Sequence, residues 1–177
     1  MKPIQLISPV DGSVYATRTP LTLEAAQAAA ARARAAQKAW AATPLAERIA
    51  LVKAGVANLN ANAPRIVEEL AWQMGRPTRS GGEFGGVNAR TDYMSEIAAA
   101  TLAPQTIEDS DKFRRYLARE AVGVVFIVAP WNYPYLTTIN TLVPALIAGN
   151  AVVLKHASQT MLVGERLAEA FHAAGIP

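Results

Sequence analysis

The chain has no cysteine and only two histidines, His156 and His172, in 177 residues. The first absence excludes a disulfide scaffold, a thiolate zinc site and a nucleophilic thiol supplied by this chain. The second leaves two imidazoles sixteen positions apart, too few for a histidine-built centre, so no metal is expected. Charge is sparse too. Asp, Glu, Lys and Arg make up 18% of the residues, with a formal net charge of +3. That balance lacks the dense basic loading of a nucleic-acid binder. With 51% hydrophobic residues it also excludes a disordered chain. Long apolar runs are missing as well. The longest, Val122 to Ala129, contains Gly123 and stops at Pro130, well short of the roughly 20 residues of a membrane-spanning helix. The opening residues, MKPIQLISPVDG, hold neither an apolar segment nor a cleavage pattern. The expectation is a soluble, cytoplasmic protein that binds neither membrane nor nucleic acid.

What is present reads as helices first and a parallel sheet afterwards. Thr22 can N-cap an alanine-dominated helix over Leu23 to Ala42. Thr43-Pro44 marks a second start, with Pro at the first helical position, followed by Leu45, Ile49, Val52, Val56 and Leu59 on one stripe. A third helix is predicted from Asn62, carrying Ile66, Val67, Leu70 and Met74 and ending at Gly75 and Pro77. A fourth spans about Gly82 to Ala100. After Pro104 the pattern changes. Residues Phe113 to Arg119 alternate as a half-exposed strand would. Val122 to Ala129 reads as a strand covered on both faces. Pro134 to Ala148 is helical up to Gly149, Ala151 to Leu154 is a short buried strand, and Met161 to Ala174 is a last helix before Gly175. This is an α/β chain, N-terminal helices followed by strand–helix units of a parallel, doubly wound sheet. Two parallel strands are few for such a sheet, so the sheet reads as cut short; the alternative is a small α+β domain.

Two segments concentrate the chemistry. In Val124 to Pro134 a buried strand enters a turn, Trp131-Asn132-Tyr133, with a proline on either side that fixes the backbone. Ligands of open α/β sheets bind at the carboxyl ends of strands. There Asn132 can offer a fixed amide N–H to a developing oxyanion, or it can simply N-cap the helix entered at Pro134. In Val152 to Thr160, Lys155 ends the second strand with Ser158 three residues on and no acid between. A cation and a hydroxyl at that place suit a 2′-phosphate; the plain alternative is a solvated lysine and a helix cap. Gly81 to Gly86 is not a dinucleotide loop, because Glu83 stands where a glycine is required and no strand precedes it. Nor does the chain contain GxxxxGK[ST], HExxH or GxSxG.

Pro130-Trp-Asn-Tyr-Pro134, Asn140, Pro144-Ala-Leu146, Ala148-Gly-Asn150 and Val152-Val-Leu-Lys155 closely resemble the aldehyde dehydrogenase superfamily. The resemblance extends back through Thr43 to Arg48, Gly75-Arg-Pro77 and Glu83. It implies an atypical Rossmann fold for the coenzyme domain. Residues 1–108 would be its helical part, 109–121 a strand segment toward the oligomerisation region, and 122–177 the first strands and helices of the coenzyme-binding sheet. It further implies that Asn132 stabilises an oxyanion, and that Ile127, Ala129, Pro130 and Trp131 line the cofactor. Lys155 would contact the adenosine ribose. Many members carry Glu where this chain has Ser158 and Pro where it has His156; without that carboxylate a 2′-phosphate meets less repulsion. NADP, or NADP and NAD both, is therefore the implied cofactor, with an aldehyde, including a semialdehyde, as substrate and a homo-oligomer as the assembly. Tyr135, Leu136 and Ile139 would border the substrate's approach. The family's catalytic Cys and Glu lie beyond the equivalent of Pro177, so the chain alone is expected to be inactive. The alternative is an assembly or interaction module on the same scaffold without its chemistry.

Overall fold

A hairpin that the helical first half does not announce opens the chain. The computed structural model describes residues 2–177, and in it β1 (Ile4–Ile7) pairs antiparallel with β2 (Val14–Arg18). The turn relies on Gly12, whose φ of 77° is costly for residues with a side chain. Ser8 Oγ donates to Trp72 O at 2.7 Å and Tyr15 stacks on Trp72, which ties the hairpin to the helices. The Asp11-Gly12 pair is the turn signal that the expectation overlooked.

The helices follow the sequence closely. Helix α1 (Leu23–Ala42) is capped by Thr22, whose hydroxyl accepts from Ala25 N–H. In α2 (Leu45–Ala61) Pro44 occupies the cap rather than the expected first helical position; its own carbonyl accepts from Arg48 N–H. Helix α3 (Ala63–Met74) ends at left-handed Gly75. Helix α4 (Phe84–Leu102) starts two residues later than expected, with Glu83 at its cap. A second antiparallel hairpin, β3 (Gln105–Asp109) with β4 (Arg114–Leu117), leaves Ile107, Tyr116 and Leu117 exposed.

Strand β5 (Val124–Val128), helix α5 (Pro134–Ile147), strand β6 (Ala151–Lys155) and helix α6 (Met161–Ala173) complete the chain. The two strands are parallel, with Val124 opposite Ala151 and Val128 opposite Lys155. The expectation that this strand is covered on both faces is corrected. Ile127 and Ala129 are buried, but Phe126 and Val128 are 63% and 65% exposed, because no element among the described residues covers their side.

The core gathers around α5. Ile139 and Val143 meet Val52 and Leu59 of α2, Ile66 and Leu70 of α3, Val87 of α4 and Leu167 of α6 in one buried cluster. A helix end in such surroundings cannot turn its free carbonyls to water, so other side chains must serve them. Trp40 Nε1 donates to Leu146 O at 2.9 Å, Arg48 Nε to Ile147 O at 2.9 Å, and Gln37 Nε2 to Gly149 O at 3.0 Å. Asn150 then donates to Ala145 O and accepts from Gly123 N–H, joining the end of α5 to the start of β5. Gly149 is required at the turn: its φ is 87°, and a Cβ there would lie 3.3 Å from Ala41 Cα.

Replacing Asn150 with Ala leaves the Gly123 N–H unpaired and takes one donor from the Ala145 carbonyl. We expect a loss of about 1–3 kcal/mol for the unpaired donor, read as a lower urea midpoint at unchanged m-value.

Candidate functional site at the carboxyl ends of the parallel strands

Pairing between the parallel strands persists one residue past β5, where Ala129 N–H donates to Lys155 O at 3.1 Å. The chain then leaves the sheet through Pro130 and turns into α5 at Pro134. Asn132 is exposed at this corner. Its Oδ1 accepts the Tyr133 N–H at 3.0 Å, and among the described residues its Nδ2 donates to nothing. The cap of α5 is Tyr133, with no side-chain cap of its own. Asn132 is therefore not the cap of this helix, and its side-chain donors remain available.

A residue from another helix does the capping. Glu83 Oε2 accepts the Leu136 N–H at 2.6 Å, in the first turn of α5, while Oε1 accepts from Arg76 Nη1 at 2.6 Å. Arg76 Nη2 donates to the Asn132 carbonyl at 2.6 Å, and its guanidinium lies 5.3 Å from the centre of the Tyr133 ring. Both side chains are largely buried, Arg76 13% and Glu83 4% exposed. Sequence reasoning gave these two residues no role, although both belong to the motifs that carry the resemblance.

Beside this clamp lies a crevice of about 460 Å³ lined by Arg76, Glu83, Gly85, Tyr133 and Leu136, among others. Of the three residues expected to border a substrate, only Leu136 reaches it. Tyr135 and Ile139 are buried in the core, as the inward face of an amphipathic helix must be. Burial also pushes the Tyr135 phenol well above its usual range.

The residues expected along the cofactor divide likewise. Trp131 is exposed and Pro130 half-buried, whereas the side chains of Ile127 and Ala129 point into the core. Phe126 and Val128 take the outward positions of the strand. Lys155 and Ser158 are both exposed. Ser158 opens a short 3-10 turn (Ser158–Thr160) ahead of α6. Trp131 and Ser158 line a common groove of about 360 Å³ with Leu6, Gln73, Met74 and Gln159. Gln73 Oε1 accepts the Leu162 N–H at the start of α6, and its buried Nε2 has no partner. Tyr133 lines one crevice and Trp131 the other, so Asn132 separates the two along the chain.

His156 links the two loops. Nδ1 accepts the Ala157 N–H at 3.1 Å and sits 3.3 Å from Thr160 Oγ1. That places the proton on Nε2, 3.4 Å from the Pro134 carbonyl.

A model of the aldehyde dehydrogenase family matches residues 1–177. The chain belongs to the aldehyde dehydrogenase family. N-succinylglutamate 5-semialdehyde dehydrogenase of Novosphingobium aromaticivorans is 34% identical over 148 residues, 83% of this chain and 31% of the relative. The crystal structure of a NAD-dependent benzaldehyde dehydrogenase from Corynebacterium glutamicum superimposes with a TM-score of 0.90 at 31% identity, over 99% of this chain and 39% of the other. Succinic semialdehyde dehydrogenase from Streptococcus pyogenes, solved with NADP+ as the cofactor, gives 0.86 at 26% identity, over 98% and 38%. The chain thus spans about a third of the length of the aldehyde dehydrogenase relatives it matches. No helix among the described residues is long and apolar enough to cross a membrane.

Burial lowers the His156 pKa from 6.5 to about 4, aided by the neighbouring Lys155 charge and opposed by the bond to Pro134 O. Between pH 6.5 and about 4 the unfolded chain binds a proton that the folded chain refuses, so stability falls as pH drops through that window and levels below it. Urea midpoints across this range should decline less steeply in His156→Gln than in the parent; parallel curves would show that the ring is solvated.

Proposed function

We propose that this chain supplies the oxyanion corner and part of the nucleotide wall of an NAD(P)-dependent aldehyde dehydrogenase, which oxidises an aldehyde to a carboxylic acid. The observation that carries the reading is the state of Asn132: its carbonyl oxygens are both engaged while its side-chain N–H groups face solvent beside an open crevice. When a thiolate adds to an aldehyde carbon, the carbonyl oxygen gains negative charge. A donor already held in place stabilises that charge without reorganising, and the amino end of α5 contributes a partial positive charge at the same corner. The nucleophile comes from outside these residues, since the chain has no cysteine.

The donor set fits a phosphorylated nucleotide. Lys155 offers a cation, Ser158 a hydroxyl, and the unpartnered Gln73 Nε2 sits beside the groove that Ser158 shares with Trp131. Trp131 and Pro130 form the surface along which the cofactor lies, while Ile127 and Ala129 support that surface from within the core. Bound there, a nicotinamide dinucleotide accepts the hydride. The acid-free segment after β6 favours NADP, or use of both cofactors.

Residues 1–108 serve as the helical part of the coenzyme domain, 109–121 as the segment toward a homo-oligomer contact, and 122–177 as the start of the coenzyme sheet. Exposed Tyr116 and Leu117 support that contact. A semialdehyde is the substrate to assay first, because two of the similar proteins bear that name. The cytoplasm is the proposed location. The missing thiol favours one competing reading, a non-catalytic assembly module on this scaffold.

Two measurements decide. In the protein that combines this chain with the catalytic thiol, Asn132→Ala should lower kcat about 10²–10³-fold; an unchanged kcat would leave only the assembly reading. Ser158→Glu should weaken NADP+ binding relative to NAD+, followed by Trp131 fluorescence, and equal effects on both would remove the 2′-phosphate assignment.

A further inference from the structure

We infer that Arg76 and Glu83 are positioning residues for Asn132, acting on the corner from both sides. The inference rests on the function proposed above and extends it to two residues that do not themselves stabilise the oxyanion. The corner has two loose ends in principle, the Asn132 carbonyl before the helix and the unsatisfied N–H groups of its first turn. Arg76 Nη2 takes the first and Glu83 Oε2 the second, and the Arg76–Glu83 ion pair at 2.6 Å joins the two holds into one frame. Arg76 also lies against the Tyr133 ring, so residues 132, 133 and 136 are all fixed by one pair of side chains.

Burial argues that the pair is there to place the corner rather than to stabilise the fold. Taking two charges out of water roughly cancels their attraction, and apolar replacements of such pairs are often as stable or more so. A planar guanidinium can hold a carboxylate and a carbonyl at once, which an ammonium cannot do with the same fixed geometry. The carboxylate in turn accepts from Arg76 and Leu136 through separate oxygens. Each bond therefore specifies a direction, and Asn132 inherits it through a backbone held on both flanks.

The test uses the 15N-labelled chain and the variants Arg76→Lys and Glu83→Gln, with melting temperature as the control for folding. In the parent, backbone order parameters of Trp131, Asn132 and Tyr133 should match the rigid value of about 0.85. Arg76→Lys should drop Asn132 below about 0.6 and leave the Leu136 amide proton near its parent shift, since Glu83 still accepts from it. Glu83→Gln should loosen Asn132 as well and move the Leu136 proton upfield. Rigid Asn132 in both variants, or mobile Asn132 in the parent, overturns the inference. A variant that fails to fold is replaced by the other, because each removes one side of the frame. Kinetics of the thiol-containing protein separate the two levels. Loss of kcat at unchanged KM in Arg76→Lys, with no further loss when it is added to Asn132→Ala, supports positioning through Asn132. Activity that survives Asn132→Ala sinks the function and leaves the frame to be judged by its spectra.

Discussion

Helix α5 is held at both ends by side chains from other helices, and the rest of the structure depends on that constraint. At its amino end the Glu83 carboxylate serves the first turn; at its carboxyl end Gln37, Trp40 and Arg48 serve carbonyls that the core has cut off from water. A helix so fixed cannot slide or rotate without stranding buried polar groups, each costing about 1–3 kcal/mol. The strand before it and the strand after it are therefore delivered in register, with Val128 opposite Lys155. The exposed Asn132 corner and the groove shared by Trp131 and Ser158 are two consequences of one anchored element. A second buried charge cluster extends the principle: Arg166 of α6 shares its Nε–H between the two carboxylate oxygens of Glu69 of α3, both nearly buried, and fixes the helix that follows the groove.

Local chemistry made most of the helices readable. Alanine and a threonine cap define α1, a proline entry and a single apolar stripe define α2, and a left-handed glycine ends α3, all signals contained within one or two turns. The first hairpin was not readable in the same way, because only Leu6 of β1 faces the interior and four residues cannot establish a period. The strand from Val122 to Ala129 was placed but not its environment. Uniformly apolar residues reveal that a strand favours burial, not whether this chain supplies the cover, and Phe126 and Val128 stand uncovered.

The site divides along the same line. Asn132, Lys155 and Ser158 were singled out because motif spacing carries them, and the structure leaves all three exposed near the carboxyl ends of the parallel strands, where ligand-binding groups of such sheets collect. Their supports were not legible. Arg76 reaches Asn132 across 56 residues and Glu83 reaches Leu136 across 53, distances over which no periodicity speaks. Tyr135 and Ile139 show the converse: proximity in sequence to the corner suggested lining roles, yet helix periodicity turns their side chains into the core, as strand alternation turns that of Ile127, which the family resemblance had set along the cofactor.

The central claim is that α5 is secured from outside at its first turn as firmly as along its length. Native-state hydrogen exchange at the Leu136 amide tests it most directly, because that N–H has Glu83 as its partner rather than a carbonyl of its own helix. The account predicts that Leu136 exchanges with the same opening free energy as Ile139 and Val143, deep in the helix. Exchange at the rate of an ordinary frayed helix start would contradict it.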